Sequence, residues 1–165
     1  MASRTIRVMS GTPAPPPAVV PLSAAEEAVA RALGRVILLL PRALDADLEH
    51  DQRMSLSEYT VLRILSETTC GQLRMSELAG ACDMSLSGMT RLAARLESLG
   101  HLRRTPCSSD GRGMNAALTD AGLARLREAW PAHLASVRRR VFDHLGDIDL
   151  ERLAAALNEM AAERP

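Results

Sequence analysis

Seven apolar residues, Leu123, Leu126, Trp130, Leu134, Val137, Val141 and Leu145, follow one another at intervals of 3, 4, 4, 3, 4 and 4. That spacing returns every side chain to one face of an α-helix, and no strand could keep them together. Thr119, just upstream, is of a type that caps helix starts, and Pro131 should bend the helix slightly. A stripe this long cannot be left to water, so the remaining chain must supply apolar elements to cover it.

Composition says what those elements are. Apolar residues make up 47% of the chain but aromatics only 2%, namely Tyr59, Trp130 and Phe142. A core of Leu, Ala, Val and Met favours packed helices over a sandwich. The 165 residues suit one domain with appendages.

The other elements carry their own punctuation. Positions 1 to 22, with Gly11-Thr-Pro-Ala-Pro-Pro-Pro-Ala, read as a disordered Pro/Ala-rich arm without the apolar core of a signal peptide. Ser23 opens a long helix carrying Ala25, Val29, Leu33, Val36, Ile37, Leu40 and Leu44, which Pro41 is expected to kink or divide. Ser55-Leu-Ser-Glu58 reads as a capping box before a second helix reaching about Thr68. A short extended piece (Gln72, Leu73, Arg74) precedes a helix from Met75 to Cys82, and Ser85 caps another that Gly100 stops. His101 to Cys107 and Met114 to Leu118 read as two strands around the turn-forming Ser108-Ser-Asp-Gly-Arg-Gly113. After Gly146, Asp147 or Asp149 caps a last helix with Leu150, Leu153, Ala154, Leu157 and Met160 on one face.

The two short helices in the middle have the pattern of a helix-turn-helix. Counting from Met75, apolar residues fall at places 4, 8, 10, 15 and 18 as Leu78, Cys82, Met84, Met89 and Leu92, and the small Ala79 stands at place 5. Those are the places where two steeply crossing helices share a core, and the fifth must let the second helix approach. Place 9, where the turn visits left-handed backbone space, holds Asp83, a residue that tolerates that region.

The second of these helices turns Ser87, Gly88, Thr90, Arg91, Ala94 and Arg95 away from the stripe of Met89, Leu92, Ala93 and Leu96. With Ser85 at its start, it has free amides and small polar side chains where it would enter a major groove. Gly88 is expected to permit close approach to the duplex. The net charge is zero, with 20 arginines and no lysine, but Ser85 to Arg112 holds Arg91, Arg95, Arg103, Arg104 and Arg112 against only Glu97 and Asp110. Such a local basic excess fits a phosphate-facing surface. Arg103 and Arg104 sit on adjacent strand positions and point to opposite faces; Arg104 is taken as the one toward DNA. Arg112, at the hairpin tip, is placed in a minor groove, with Asp110 orienting its guanidinium or forming the turn.

Asp110-Gly-Arg112 followed by Leu118-Thr-Asp-Ala-Gly122 resembles the wing and following helix start of the MarR family. Leu56 to Leu65, Ser76-Glu-Leu-Ala79, Thr90-Arg-Leu-Ala-Ala-Arg-Leu-Glu97 and Gly100-His-Leu fall in the same order and spacing as in that family. Position 111, commonly basic there, is Gly. The resemblance implies a mostly α, winged helix-turn-helix fold in the order helix, helix, strand, helix, helix, strand, wing, strand, helix, helix. It implies a transcriptional repressor acting as a homodimer on a pseudo-palindromic double-stranded operator. The expected division is 1–22 arm, 23–54 N-terminal dimerisation helix, 55–119 winged helix-turn-helix, and 120–165 C-terminal dimerisation helices. Apolar stripes larger than one small core can cover support the dimer independently.

The resemblance also implies a small phenolic or lipophilic effector, with His50, Tyr59, Arg63 and Trp130 as candidate pocket residues. Two other readings stay open. One is a regulator responsive to thiol oxidation at Cys107; the other is a helical dimeric interaction protein without DNA specificity. Cys70, Cys82 and Cys107 show no CxxC spacing, the four histidines are scattered, and no nucleophile elbow or phosphate loop is present. No enzyme activity, cofactor, metal or membrane partner is therefore expected, and a reduced, cytoplasmic setting is.

Overall fold

The computed structural model describes residues 20–106 and 113–162. Its elements are α1 (Ala24–Gln52), α2 (Leu56–Glu67), β1 (Gln72–Arg74), α3 (Met75–Ala81), α4 (Leu86–Ser98), β2 (Leu102–Pro106), β3 (Met114–Leu118), α5 (Asp120–Arg140), a 3-10 turn (Phe142–His144) and α6 (Leu150–Ala162). This is the expected order, mostly helical with one small antiparallel sheet. Two compact units meet in sequence between Arg35 and Val36. In the first, the Ser23 hydroxyl accepts from the Glu26 amide at 3.3 Å and the Glu26 carboxylate accepts from the Ser23 amide at 2.7 Å, a capping box at the start of α1.

The second unit holds the core. Tyr59, Val61, Leu62 and Leu65 from α2 meet Leu78 and Ala79 from α3, Met89, Ala93 and Leu96 from α4, Leu102 and Ala116 from the sheet, and Leu126 and Ala129 from α5. Leu48 of α1 joins the same cluster. The places assigned to a helix-turn-helix core are filled as expected: Leu78 and Met89 are fully buried, Ala79 is buried, and Cys82, Met84 and Leu92 pack against the cluster. Asp83 takes φ +49° at the turn.

The sheet order is β1-β3-β2, all antiparallel, with Leu73 opposite Ala116 and Arg104 opposite Ala116 from the other side. It forms the root of the wing, and β2 packs beside α4. The join to α5 is tight. Thr119 donates its hydroxyl to the Gly100 carbonyl at 2.7 Å and accepts from the Gly122 amide at 3.0 Å.

Three expectations need correction or limit. Pro41 does not divide α1, which runs through it; the position is exposed, and water can serve the carbonyl its missing amide leaves unpaired. The long stripe does not stay helical to Leu145. Val141 leaves helical values (φ −123°, ψ −68°) after Arg138, Arg139 and Arg140, whose charges suit a helix C-terminus, and Leu145 follows a 3-10 turn. Asp149 rather than Asp147 caps α6, accepting from the Glu151 and Arg152 amides at 3.1 Å each. Most of the 1–22 arm, together with Cys107, Asp110 and Arg112, lies outside the described residues.

Candidate nucleic-acid interface

The start of α4 is built by its cap. Ser85 is extended (φ −66°, ψ 149°), and its hydroxyl accepts from the Gly88 amide at 3.1 Å and lies 3.2 Å from the Ser87 hydroxyl. Beyond the cap, Met89, Ala93 and Leu96 are buried, so Ser87, Thr90, Arg91, Ala94 and Arg95 are left exposed on the other side of the helix. Thr90 donates its hydroxyl to the Leu86 carbonyl at 2.8 Å. A Cβ at Gly88 would lie 3.2 Å from the Ser85 hydroxyl and 3.5 Å from the Met84 methyl, both movable side-chain atoms. Nothing in the interior forces Gly at this position.

The basic residues divide into two kinds. Arg95 reaches across from α4 to α2 and donates through Nε to Glu58, a carboxylate only 4% exposed that also accepts from the Ser55 amide at 2.9 Å. Burial acts to raise Glu58, but the Ser55 amide and the Arg95 guanidinium outweigh it and hold the group below the usual carboxylate range. Arg104 donates through Nε to Glu97 at 2.7 Å, while its amide binds the other oxygen of Glu97 at 3.0 Å. These hydrogen bonds lower Glu97 in turn.

Arg91 and Arg103, by contrast, are exposed and make no ion pair among the described residues. The strand alternation does put Arg103 and Arg104 on different sides, but the one held by a carboxylate is Arg104. The sequence does not reveal the partner of Arg104, because Glu97 lies on a different element.

An open groove of about 350 Å³ runs between α4 and the wing, lined by Arg74, Met75, Ser76, Leu86, Thr90, Arg104, Gly113 and Met114. None of His50, Tyr59, Arg63 and Trp130 lines it. Tyr59 is buried between α2 and α5, its ring 4.2 Å from that of His133, and burial pushes its phenol up and His133 down. The Tyr59 hydroxyl and His133 Nδ1 are buried with no hydrogen-bond partner among the described residues. Arg63 pairs with Glu67 at 2.7 Å, Trp130 is 44% exposed, and His50 is exposed. Cys82 is half-buried, and its thiol is pushed up by burial, away from the thiolate that reacts with oxidants. Among the described residues no group of His, Cys, Asp or Glu could hold a metal ion, and no helix is long and apolar enough to cross a membrane.

Comparison with known proteins agrees with this architecture. Residues 54–114 match the MarR family. The transcriptional regulator PecS of Dickeya dadantii (strain 3937) is 33% identical over 107 residues, and the match spans 64% of this chain and 64% of PecS. Among solved structures, Sco3205 of Streptomyces coelicolor, a MarR family transcriptional regulator in complex with DNA, superimposes with a TM-score of 0.79 at 36% identity, over 89% of this chain and 93% of Sco3205. AbsC of the same organism, also a MarR family transcriptional regulator, gives 0.76 at 36% identity, over 87% and 96%. With its helix-turn-helix core, capped α4 and three-stranded wing root, the chain belongs to the MarR family of transcriptional regulators.

Proposed function

We propose that this protein is a sequence-specific double-stranded DNA-binding repressor that acts in the cytoplasm as a homodimer and performs no catalysis. One observation carries the reading. The outer face of α4 is exposed from Ser87 to Arg95, with Arg91 on it and Arg103 on the neighbouring strand left without carboxylate partners among the described residues. Small polar side chains at a helix start can approach base edges in a major groove, while free guanidiniums meet phosphates. Ser85, Ser87, Gly88, Thr90 and Arg91 are the proposed reading residues, and Asp110 and Arg112 the proposed wing-tip contacts. Arg95 and Arg104 act chiefly through the carboxylates that hold them.

The division into a winged helix-turn-helix at 55–119 and dimerisation helices at 23–54 and 120–165 belongs to the same proposal. Ile37, Leu38, Leu39, Trp130, Leu134 and Phe142 are each 44% to 63% exposed, an apolar outlay that a monomer would leave in water. Two-fold symmetry then calls for a pseudo-palindromic operator with half-sites about 34 Å apart. A small phenolic or lipophilic effector is proposed near Tyr59 and Arg63, where a phenol would give hydrogen bonds to the Tyr59 hydroxyl and His133 Nδ1, which have no partner among the described residues.

Selection of bound sequences from random duplex DNA, paired with sedimentation analysis of the free protein, tests the reading. A recovered inverted repeat and a dimer at micromolar concentration are expected. A stable monomer with no affinity for any duplex at low salt would overturn it.

A further inference from the structure

Leu86 is the first residue of α4, and it is 55% exposed although the core face of that helix is already complete in Met89, Ala93 and Leu96. A large aliphatic side chain at a helix start gains nothing from water, and Ser or Asp would serve the helix equally well there. Its neighbours are also apolar in the direction of the groove. Thr90, one turn on, has its hydroxyl proton committed to the Leu86 carbonyl and can still present its methyl. Met114, at the start of β3, lines the same groove and is 41% exposed. Leu86 and Met114 therefore give an apolar portion to a groove that Ser76, Thr90 and Arg104 also line.

In a major groove the bulkiest apolar feature that a base pair presents is the 5-methyl group of thymine. We propose that Leu86 reads that methyl, making a thymine in each half-site a determinant of specificity. The inference rests on the reading of the chain as a DNA-binding protein and adds to it a residue and a base. Contact with one methyl corresponds to roughly a fourfold change in affinity.

The test uses the full-length protein and the operator recovered by selection, with each thymine replaced singly by uracil, which removes only the methyl. Wild-type protein is expected to lose roughly fourfold in affinity at one thymine per half-site and little elsewhere. Leu86→Ala, which removes the side chain from both half-sites, is expected to bind the unmodified operator about as weakly as wild type binds the duplex carrying uracil at that position in both half-sites, and to show no further loss on the substitution, with an unchanged melting temperature. Wild-type affinity indifferent to uracil at every position overturns the proposal, as does a uracil penalty that survives in Leu86→Ala; either result leaves DNA binding itself standing. Failure of wild type to bind any duplex overturns both this inference and the reading beneath it.

Discussion

The Glu58 carboxylate, buried at the first turn of α2, is the point to which Arg95 of α4 is tied. Glu58 simultaneously closes the capping box with Ser55, so one side chain fixes the start of α2 and the outer edge of α4. Glu58→Gln should cost about 1–3 kcal/mol, because a buried acceptor loses its charge-assisted partner. Arg95→Ala should lower the urea midpoint as well, while leaving the salt dependence of DNA binding nearly unchanged. A loss of affinity that steepens or flattens with salt, at unaltered stability, would make Arg95 a phosphate contact instead.

Gly122 meets the His101 backbone across the junction of the wing and α5. A Cβ there would lie 2.0 Å from the His101 carbonyl oxygen and 2.9 Å from a Leu118 methyl. The backbone atom cannot step aside without disturbing the Thr119 bonds to Gly100 and Gly122. Gly122→Ala should therefore destabilise by about 3 kcal/mol in spite of alanine's better helix propensity. A urea unfolding curve showing a loss below about 0.5 kcal/mol would refute the close approach.

Asp47 gathers three donors from the end of α5: the Ser136 hydroxyl, Arg139 at 2.8 Å, and Arg140 at 2.7 and 2.9 Å. The Arg140 and Ser136 bonds hold its carboxyl well below the usual carboxylate range. Because the folded pKa is depressed, the stabilisation is complete above the unfolded value of about 4 and is lost as pH falls beneath it. Asp47→Asn should lower stability at neutral pH by about 1 kcal/mol and flatten the decline below pH 4. Equal acid-side slopes for wild type and variant would show that Asp47 does not govern this region.

Local chemistry was readable before any coordinates. The Ser55 to Glu58 box, the small Ala79 at the helix crossing and the left-handed turn at Asp83 each follow from residues within a few positions of one another, and all three are present. What escaped was the choice of distant partner. Arg95 and Glu58 are 37 residues apart, and Asp47 and Arg140 are 93 apart. Sequence gives the charge of Arg95 and Arg104 but not the carboxylate each will meet once α2, α4 and β2 are packed. In the sequence alone neither can be told from an unpaired cation. The exposure of Leu86 is likewise not legible, since one more leucine in a leucine-rich chain carries no signal of its own.

Among the described residues two non-glycine residues hold positive φ, Arg53 at +53° and Asp83 at +49°. Asp tolerates left-handed backbone through its short polar side chain, whereas Arg has no such compensation. Arg53→Gly should raise stability by about 0.5–1 kcal/mol, the relief of strain exceeding the entropy glycine adds to the unfolded chain, while Asp83→Gly should be nearly neutral. Thermal unfolding of the two variants decides the matter; a larger gain at position 83 would reverse the assignment.

Arg103 and Arg104 offer the sharpest contrast on the wing, since they are neighbours on β2 with opposite commitments. Arg104 is bound to Glu97 through its side chain and its backbone amide, and removing it should loosen the packing of β2 on α4 before it changes any contact with DNA. Arg103 has no such partner among the described residues and is exposed, so its guanidinium can displace a counterion from a phosphate. In a dimer two copies would act, and Arg103→Ala should reduce the slope of log affinity against log salt by roughly 1.8, nearly uniformly across sequences. Arg104→Ala should instead lower the melting temperature with a smaller change of slope. If the two variants exchange these signatures, the Glu97 pairing does not persist on DNA and Arg104 is the residue that meets the backbone.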